Sequence, residues 1–469
     1  MSKIDDLVDA EMSNVISDLQ ALIRQPSVSA RKQRLVECAN LVAKIMEGAG
    51  IENEILYQHQ LDNKKEQREG EVDDVPPIVY GEYKSKSNPN GRTILFYNHY
   101  DVQPEDPLDL WEGKDAFSGK VEGNYIFGRG SADDKGELIT RIKAVEYYLK
   151  KTGDVPCNVK FVVEGEEEVG SPHLKDYLIN YQTKFRCDGV IWESGFIDAK
   201  GIPIISLGQK GILCVELITK GPSRDVHSSL AVLIENPAWR LITALNTIRS
   251  VTGEILIKDW YKEVRAFTDE ELAVLENEPF NEDELKKEYG VQEFLNNAKG
   301  IAVKIAFAGS PTCNISSLIS GYSGEGSKTV LPATARAKLD FRLVPEMDPE
   351  RQMHRLTKHL REHGYNTKQE IEVKFLSGEG AARVPISIPF LKPVKEAASE
   401  IYGDVIISVS SAGTGPMYYF QKILGAPCIC IGGSELSNKS HSPNESMRLD
   451  LINKTIKCMA KILEKTNTY

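Results

Sequence analysis

The sequence predicts an α/β protein: a discontinuous domain with a mostly parallel sheet flanked by helices, interrupted by an inserted antiparallel α+β domain. Three observations predict it. Near-continuous apolar runs at 92–97, 158–163 and 189–192 alternate with helix-like segments, as expected for strands covered on both faces. From residue 208 the apolar residues alternate with period two instead, the mark of a sheet with one buried face. After Pro389 the first pattern returns. One domain is therefore expected over 1–207 and 387–469, around a second at 208–386.

The elements follow in order. Ile4, Leu7, Val8, Met12, Val15, Ile16, Leu19, Leu22 and Ile23 recur at helical spacing, so the chain opens on an amphipathic helix that stops near Pro26. Residues 62–74 are dense in charge and read as a solvated loop. A strand at 92–97 is followed by a helix over 134–151 and strands at 158–163 and 189–192. The strand 211–220 sets Ile212, Cys214, Glu216 and Ile218 on one side. A helix covers 237–248, and 252–299 is a charged, helix-favouring insertion. Over 335–344, Ala335, Ala337, Leu339, Phe341 and Leu343 share one face. A helix at 350–363, a strand at 371–375, a helix at 391–402, a strand at 427–431 and a helix after Asp450 complete the chain. Two helices over alternating strands give the middle region its α+β character.

Composition narrows the function. The chain has 469 residues, more than one ordinary core holds, so two or three domains are expected. Hydrophobic residues are 41% and charged residues 27%, with a net charge of −11. That balance fits a soluble globular protein and disfavours nucleic acid and anionic membranes as partners. No apolar run reaches the ~18 residues of a membrane span. The start, Met1-Ser2-Lys3-Ile4-Asp5-Asp6, lacks a basic region followed by an apolar stretch, so no signal peptide and a cytoplasmic location are expected. Eight scattered cysteines without a Cys-x-x-Cys pair fit free thiols in a reducing compartment.

The chemistry is read where the apolar strands end. The first delivers Asn98-His99-Tyr100-Asp101, the second Glu164-Gly165-Glu166-Glu167-Glu168, the third Glu193, and the last leads to His441-Ser442-Pro443-Asn444-Glu445. Ligand sites of open α/β sheets lie beyond the carboxyl ends of strands. A fifth segment, Gly128-Arg129-Gly130-Ser131-Ala132-Asp133-Asp134-Lys135-Gly136, puts acids in a Gly-rich turn that opens a helix. The two oxygens of an Asp there can serve two cations. Imidazole with carboxylate suits Zn²⁺, Mn²⁺ or Co²⁺ better than Ca²⁺ or Mg²⁺. His99 and Asp101 point the same way on an extended segment, so one can ligate while the other holds its second ring nitrogen. Glu167 and Glu168 point differently, so one can bind metal and the other act as a base. Taken singly, each has a plainer explanation: an acidic run as a solvated helix start, a lone histidine as structural, Asp133-Asp134 as a cap. Their arrival together at successive strand ends favours a metal site.

These segments resemble a known family. His99–Pro104, Gly128–Gly136, Glu164–Ser171 and His441–Glu445 are similar to segments of the co-catalytic di-metal peptidases that include aminoacylase, carboxypeptidase G and succinyl-diaminopimelate desuccinylase, most of all the carnosinase-like cytosolic non-specific dipeptidase branch. The resemblance runs over nearly the whole chain and implies a role for each position. Asp133 would bridge two divalent ions, Zn or Mn with Co as a further possibility. His99 and Glu193 would complete one site, Glu168 and His441 the other. The dipeptidase branch often has Asp where this chain has Glu193. Glu167 would be the general base and Asp101 the support of His99. The inserted domain would be a lid and dimerisation domain, making the protein a homodimer. Asp225-Val226-His227-Ser228-Ser229 resembles the segment whose histidine, here His227, stabilises the oxyanion from the partner subunit. Arg342 resembles the residue that holds a substrate carboxylate. Asn314, Gly413 and Gly415 are weaker candidates for substrate contact. Dipeptidase relatives often have a Glu-Gly-Gly-Ser-Ile-Pro-like turn where this chain has Ser411–Pro416.

The resemblance implies a metal-dependent exopeptidase acting on dipeptides or short peptides through a metal-bridged hydroxide and a Glu base. The alternative is an N-acyl amino acid amidohydrolase on the same site. A P-loop is disfavoured, because Ser327 interrupts the Gly-Lys pair in Gly321–Thr329 and no apolar strand immediately precedes it. No Gly-x-Ser-x-Gly elbow marks a serine hydrolase. A non-catalytic protein on the same fold would have lost the base or ligands, and all are present.

Overall fold

The computed structural model describes residues 3–61, 75–113, 115–365 and 370–467. The charged run at 62–74 lies outside them. The chain divides into two compact units: Met1–Gly208, Val384–Val409 and Tyr419–Tyr469 form the first, Gln209–Arg383 and Ser410–Tyr418 the second.

The first unit is built on a mixed sheet that has ten strands among the described residues. Its order is Glu52–Leu56, Ile78–Tyr83, Asn158–Glu164, Thr93–His99, Gly189–Trp192, Cys428–Cys430, Pro203–Ser206, Phe196–Ile197 and Ser434–Glu435, with Ile406–Ser408 paired to Pro203–Ser206. The four central strands run parallel, and the Glu52–Leu56 and Ile78–Tyr83 strands add an antiparallel edge. Thr93–His99 is buried at every residue after Thr93, which is why it reads as a continuous apolar run. Each fully buried Leu, Ile or Phe along it contributes about 1.5–3 kcal/mol.

The helix Lys135–Thr152 is buried at every position from Lys135 to Tyr147. Its charged residues therefore need partners. Lys135 Nζ donates to the carbonyls of Leu22 (2.9 Å) and Gln25 (2.8 Å), at the end of the Met12–Arg24 helix. The expected single N-terminal helix is two, Lys3–Ala10 and Met12–Arg24. Val8 and Val15 are both buried, so the apolar stripe continues across the break at Glu11 and conceals it from the sequence.

The second unit has a four-stranded antiparallel sheet in the order Thr312–Ser320, Thr334–Leu343, Gly211–Lys220 and Ile371–Glu379. Ala335, Ala337, Leu339, Phe341 and Leu343 are buried on one face, together with Leu213, Val215 and Leu217 of the neighbouring strand and the helices Pro237–Ile248 and Pro349–Glu362. Both helices begin on a capping side chain followed by proline. Asn236 accepts from the Ala238 N–H (2.9 Å) and Asp348 from the Arg351 N–H (3.0 Å). Gly321–Thr329 is a loop leading to the short strand Val330–Leu331 and opens no helix, so the P-loop reading is excluded. All eight cysteines are free. No helix among the described residues is long and apolar enough to cross a membrane.

A carboxylate fastens the Pro349–Glu362 helix to the insertion. Arg355 grips Glu263 with both terminal nitrogens, Nη2 at 2.6 Å, and Arg351 Nη1 stands 3.3 Å away. The hydrogen bonds of Arg355 outweigh burial and hold the Glu263 carboxyl at about 2. A depressed folded-state value stabilises above the ordinary carboxylate range and is lost as pH falls through it. Glu263→Gln is therefore expected to cost about 2–3 kcal/mol at pH 7. In urea titrations the gap should close between about pH 4.5 and pH 2. A gap independent of pH would refute the assignment.

Candidate metal centre

The strand ends bring a dense acidic cluster together at one edge of the sheet. His99 is the last residue of its strand and Glu164 the last of the next. Glu167 and Glu168 follow in a single 3₁₀ turn. Glu193 comes directly after Gly189–Trp192. Asp133 sits in the turn before the Lys135–Thr152 helix, and its peptide bond to Asp134 is cis. His441 lies in the loop between Ser434–Glu435 and Ser446–Arg448, at φ +61°. That left-handed backbone costs a non-glycine residue about 1–2 kcal/mol, against which the loop is held by the Ser440 N–H on Asn438 Oδ1 (2.8 Å) and the Ser442 N–H on the Lys439 carbonyl (2.9 Å).

Asp133 faces both histidines. Its Oδ1 is 3.1 Å from His99 Nε2 and its Oδ2 is 3.1 Å from His441 Nε2. Glu168 Oε2 is also 3.1 Å from His441 Nε2, and Glu193 Oε2 is 4.0 Å from His99 Nε2. Two groups emerge whose ligand atoms lie within 4.8 Å of one another: His99, Asp134 and Glu193, and Asp133, Glu168 and His441. Asp134 is a member not singled out from the sequence. Its carboxylate accepts from the His99 backbone N–H (3.0 Å) and from Asn98 Nδ2 (2.7 Å).

Asp101 is fully buried. Its carboxylate oxygen lies 3.4 Å from His99 Nδ1, although its own carbonyl, at 3.1 Å, is nearer. The same carboxylate accepts the backbone N–H groups of Glu167 (3.2 Å) and Glu168 (3.1 Å). Asp101 thus orients the imidazole and the acidic turn together. Gln103 Nε2 donates to Glu168 Oε2 at 2.8 Å. Glu445, also fully buried, accepts from the N–H groups of Gly130, Ala132 and Asp133 at 2.9–3.1 Å and from Arg129 Nη1 at 2.8 Å. It fastens the Asp133 turn to the loop that carries His441. Gln103 and Glu445 lie inside the recognised segments, but only the contacts reveal what they hold.

The electrostatics fit a cation. Burial pushes the Glu193 carboxyl well above its ordinary range, and Asp134 and Asp133 push it further. Burial, then the Glu193 carboxylate, does the same to Glu167. Burial raises Asp134 to about 8. Hydrogen bonds to Asp133 and Glu168 raise His441 to about 10. Glu193 Oε1 accepts from Trp192 Nε1 (3.0 Å), but its buried Oε2 has no hydrogen-bond partner among the described residues. An orphaned carboxylate oxygen beside an imidazole is what a divalent ion would satisfy.

The other candidates belong to the second unit. His227 is exposed; its Nδ1 accepts from the Ser229 N–H (3.2 Å) and lies 2.9 Å from Ser229 Oγ. Arg342 Nη1 donates to Thr414 Oγ1 at 2.6 Å. Thr414 was not singled out from the sequence, because only the fold brings 414 beside 342. Gly415 follows it and is buried. Asn314 Nδ2 donates to Asp340 Oδ2 at 2.9 Å on the neighbouring strand.

An α/β sheet whose carboxyl edge gathers two imidazole–carboxylate groups is the kind of edge a metalloenzyme uses. The chain belongs to Peptidase family M20/M25/M40, whose profile matches residues 95–465, and is a metallopeptidase. An M20 family metallo-carboxypeptidase from Sulfolobus solfataricus superposes with a TM-score of 0.87 at 35% identity, over 97% of this chain and 99% of that one. The Cys-Gly metallodipeptidase dug1 of Schizosaccharomyces pombe is 28% identical over 97% of this chain and 96% of its own. The human Beta-Ala-His dipeptidase is 26% identical over 80% of this chain and 74% of its own.

The centre predicts proton release. Metal ligands must be deprotonated, while in the metal-free centre the bonds to Asp133 and Glu168 favour the protonated form of His441, and burial that of Glu193. Calorimetric titration of chelator-stripped protein with Zn²⁺ or Mn²⁺ is expected to show a heat that depends on the buffer's ionisation enthalpy, with affinity rising with pH. Identical heats in buffers of different enthalpy would contradict this.

Proposed function

We propose that the protein is an exopeptidase that hydrolyses dipeptides or short peptides, with Asp133 bridging two divalent ions, Zn²⁺ or Mn²⁺ with Co²⁺ also suitable. The observation that carries the reading is the pair of 3.1 Å approaches from the two oxygens of Asp133 to His99 and His441. In this reading His99 and Glu193 complete one site, and Glu168 and His441 the other. Asp134 braces His99 through its backbone. When bound, the ions polarise the scissile carbonyl and acidify a water.

The remaining steps belong to the chain. Glu167 takes the proton of the attacking water and passes it to the leaving amine, ending as the carboxylate it began as. Glu167 stands beside Glu168 in one 3₁₀ turn, so its carboxylate can take a proton on one side and return it on the other. Asp101 keeps His99 in place and holds the Glu167 turn by its backbone. Because the Ser229 N–H donates to His227 Nδ1, the neutral ring carries its proton on Nε2, which makes it a donor for an oxyanion.

The second unit, 208–386 in the sequence reading, is proposed as a lid and dimerisation domain, with His227 acting in the partner subunit's site. Two exposed apolar features support an interface there. The edge strand Thr312–Ser320 shows Ile315, Leu318 and Ile319, and the Pro237–Ile248 helix shows Trp239, which is 68% exposed, and Ile242. Arg342, beside Thr414 and Gly415, is proposed to hold the substrate's terminal carboxylate, with Asn314 in a lesser role. A free-carboxylate anchor fits both the dipeptidases and the metallo-carboxypeptidase among the relatives. The free cysteines agree with a cytoplasmic location.

Glu167→Gln is expected to lower kcat about 10²–10⁴-fold while the bound metal, counted by mass spectrometry, stays unchanged. Full turnover with both ions bound would remove Glu167 from the role of base. Arg342→Met is expected to raise KM about tenfold or more for dipeptides with a free carboxylate, since a charged hydrogen bond is worth about 1.5–3 kcal/mol. C-terminally amidated dipeptides should be poor substrates of both enzymes. A panel of dipeptides, tripeptides and N-acetyl amino acids tests the substrate class. Preference for the acetylated compounds would favour the amidohydrolase alternative.

A further inference from the structure

We propose that the buried Glu137–Arg141 pair is a positioning device that sets Glu193 for its ion and acts less on the ion held by Glu168 and His441. The inference rests on the reading of Glu193 as a ligand and extends it to two residues of the helix Lys135–Thr152.

Glu137 and Arg141 lie one turn apart and are at most 1% exposed. Arg141 Nη1 donates to Glu137 Oε2 at 2.8 Å. Its Nη2 faces three backbone carbonyls: Glu193 at 2.7 Å, Trp192 at 2.9 Å and Ile431 at 3.2 Å. Glu137 Oε1 accepts from the Gly433 N–H at 2.6 Å and from Ser434 Oγ at 3.0 Å. One ion pair therefore ties the exits of two parallel strands, Gly189–Trp192 and Cys428–Cys430, to one helix.

Those exits lie in direct contact. A Cβ on Gly195 would sit 1.8 Å from the Gly432 nitrogen, and one on Gly432 would sit 2.5 Å from Glu137 Oε1. Carbonyls in so tight a place are not reached by water, and a planar guanidinium can meet several at once where an ammonium cannot. Glu193 is thus held at its carbonyl by Arg141 and at Oε1 by the Trp192 indole. Only Oε2, 4.0 Å from His99 Nε2, is left to serve an ion. On the other side, Glu445, Gln103 and Asp101 hold Asp133 and Glu168, and Ser434 Oγ, 3.3 Å from the Ala132 carbonyl, links the pair to the Asp133 turn.

The test is a Zn²⁺ titration of chelator-stripped full-length protein against a chromophoric chelator, counting ions per chain and fitting two Kd values. Arg141→Lys and Glu137→Gln are each expected to raise one Kd about 10- to 100-fold and to move the other less. A purely structural role would lower the unfolding temperature of the metal-free protein and move neither Kd. Both ions bound with wild-type Kd in the two variants overturns the proposal. Glu193→Gln is the reference. If it loses one ion while the two variants do not, the positioning role alone fails. If it too leaves both Kd values unchanged, the reading of Glu193 as a ligand fails. Glu137→Gln keeps an oxygen acceptor for Gly433 and reads the same quantity should Arg141→Lys not fold.

Discussion

Carboxyl groups crowd the carboxyl edge of one sheet, among them Asp101, Asp133, Asp134, Glu164, Glu167, Glu168 and Glu193. Their repulsion in a poorly solvated place is the constraint on which the rest of the first unit depends. Such a cluster favours the protonated forms, and burial raises the Glu193, Glu167 and Asp134 carboxyls above their ordinary range. Two imidazoles relieve part of the charge, and the Asp133 carboxyl is held down by His441 and His99 against the push of burial. Divalent cations relieve the rest more completely than any side chain could. A centre of this kind is a binding site because it is a poor place for anything else.

Holding like charges together needs rigid supports, and these are charged as well. Glu445 gathers three backbone N–H groups and a guanidinium. Asp101 gathers two N–H groups and an imidazole. Tyr97 and Ser171 donate to Glu164 at 2.5 and 2.9 Å, yet burial still pushes that carboxyl to about 8. A buried charge whose hydrogen bonds are all made costs less than one left bare. The neighbouring turns are therefore short and shaped around acceptors, not around apolar packing.

Much of this was legible in the sequence because parallel central strands are apolar on both faces. The change from Phe96 and Tyr97 to Asn98 and His99, or from Trp192 to Glu193, marks a strand end by contrast alone. The alternation from Ala335 to Leu343 revealed the second sheet in the same way. Asp134 was hidden because adjacent acids look alike until one is seen to accept the His99 N–H. Glu137 and Arg141 were hidden for another reason. A Glu–Arg pair at i, i+4 is the ordinary sign of a solvated helix face, and nothing local tells that this helix is buried all round. Thr414 reaches Arg342 over 72 residues of chain, a separation no local pattern encodes.

Reaction class and substrate are written in different physics, which explains why the first is easier to read. The reaction needs cations, and cations need a fixed set of His, Asp and Glu at short range, so few side-chain types can stand at those positions. A substrate carboxylate needs only a guanidinium in reach, the role proposed for Arg342, whose Nη1 donates to Thr414. Many arrangements of neighbouring residues would do as well, so position 342 carries no local signature beyond its place on an alternating strand. His227 is similar: the Ser229 N–H sets its tautomer, but a histidine two residues before a serine is unremarkable as sequence. The metal cluster thus constrains the chain tightly and betrays the chemistry. The groups proposed to choose the substrate constrain it loosely: Arg342 and His227 are picked out only by the resemblance of their segments, and Thr414 becomes visible only once 342 and 414 meet.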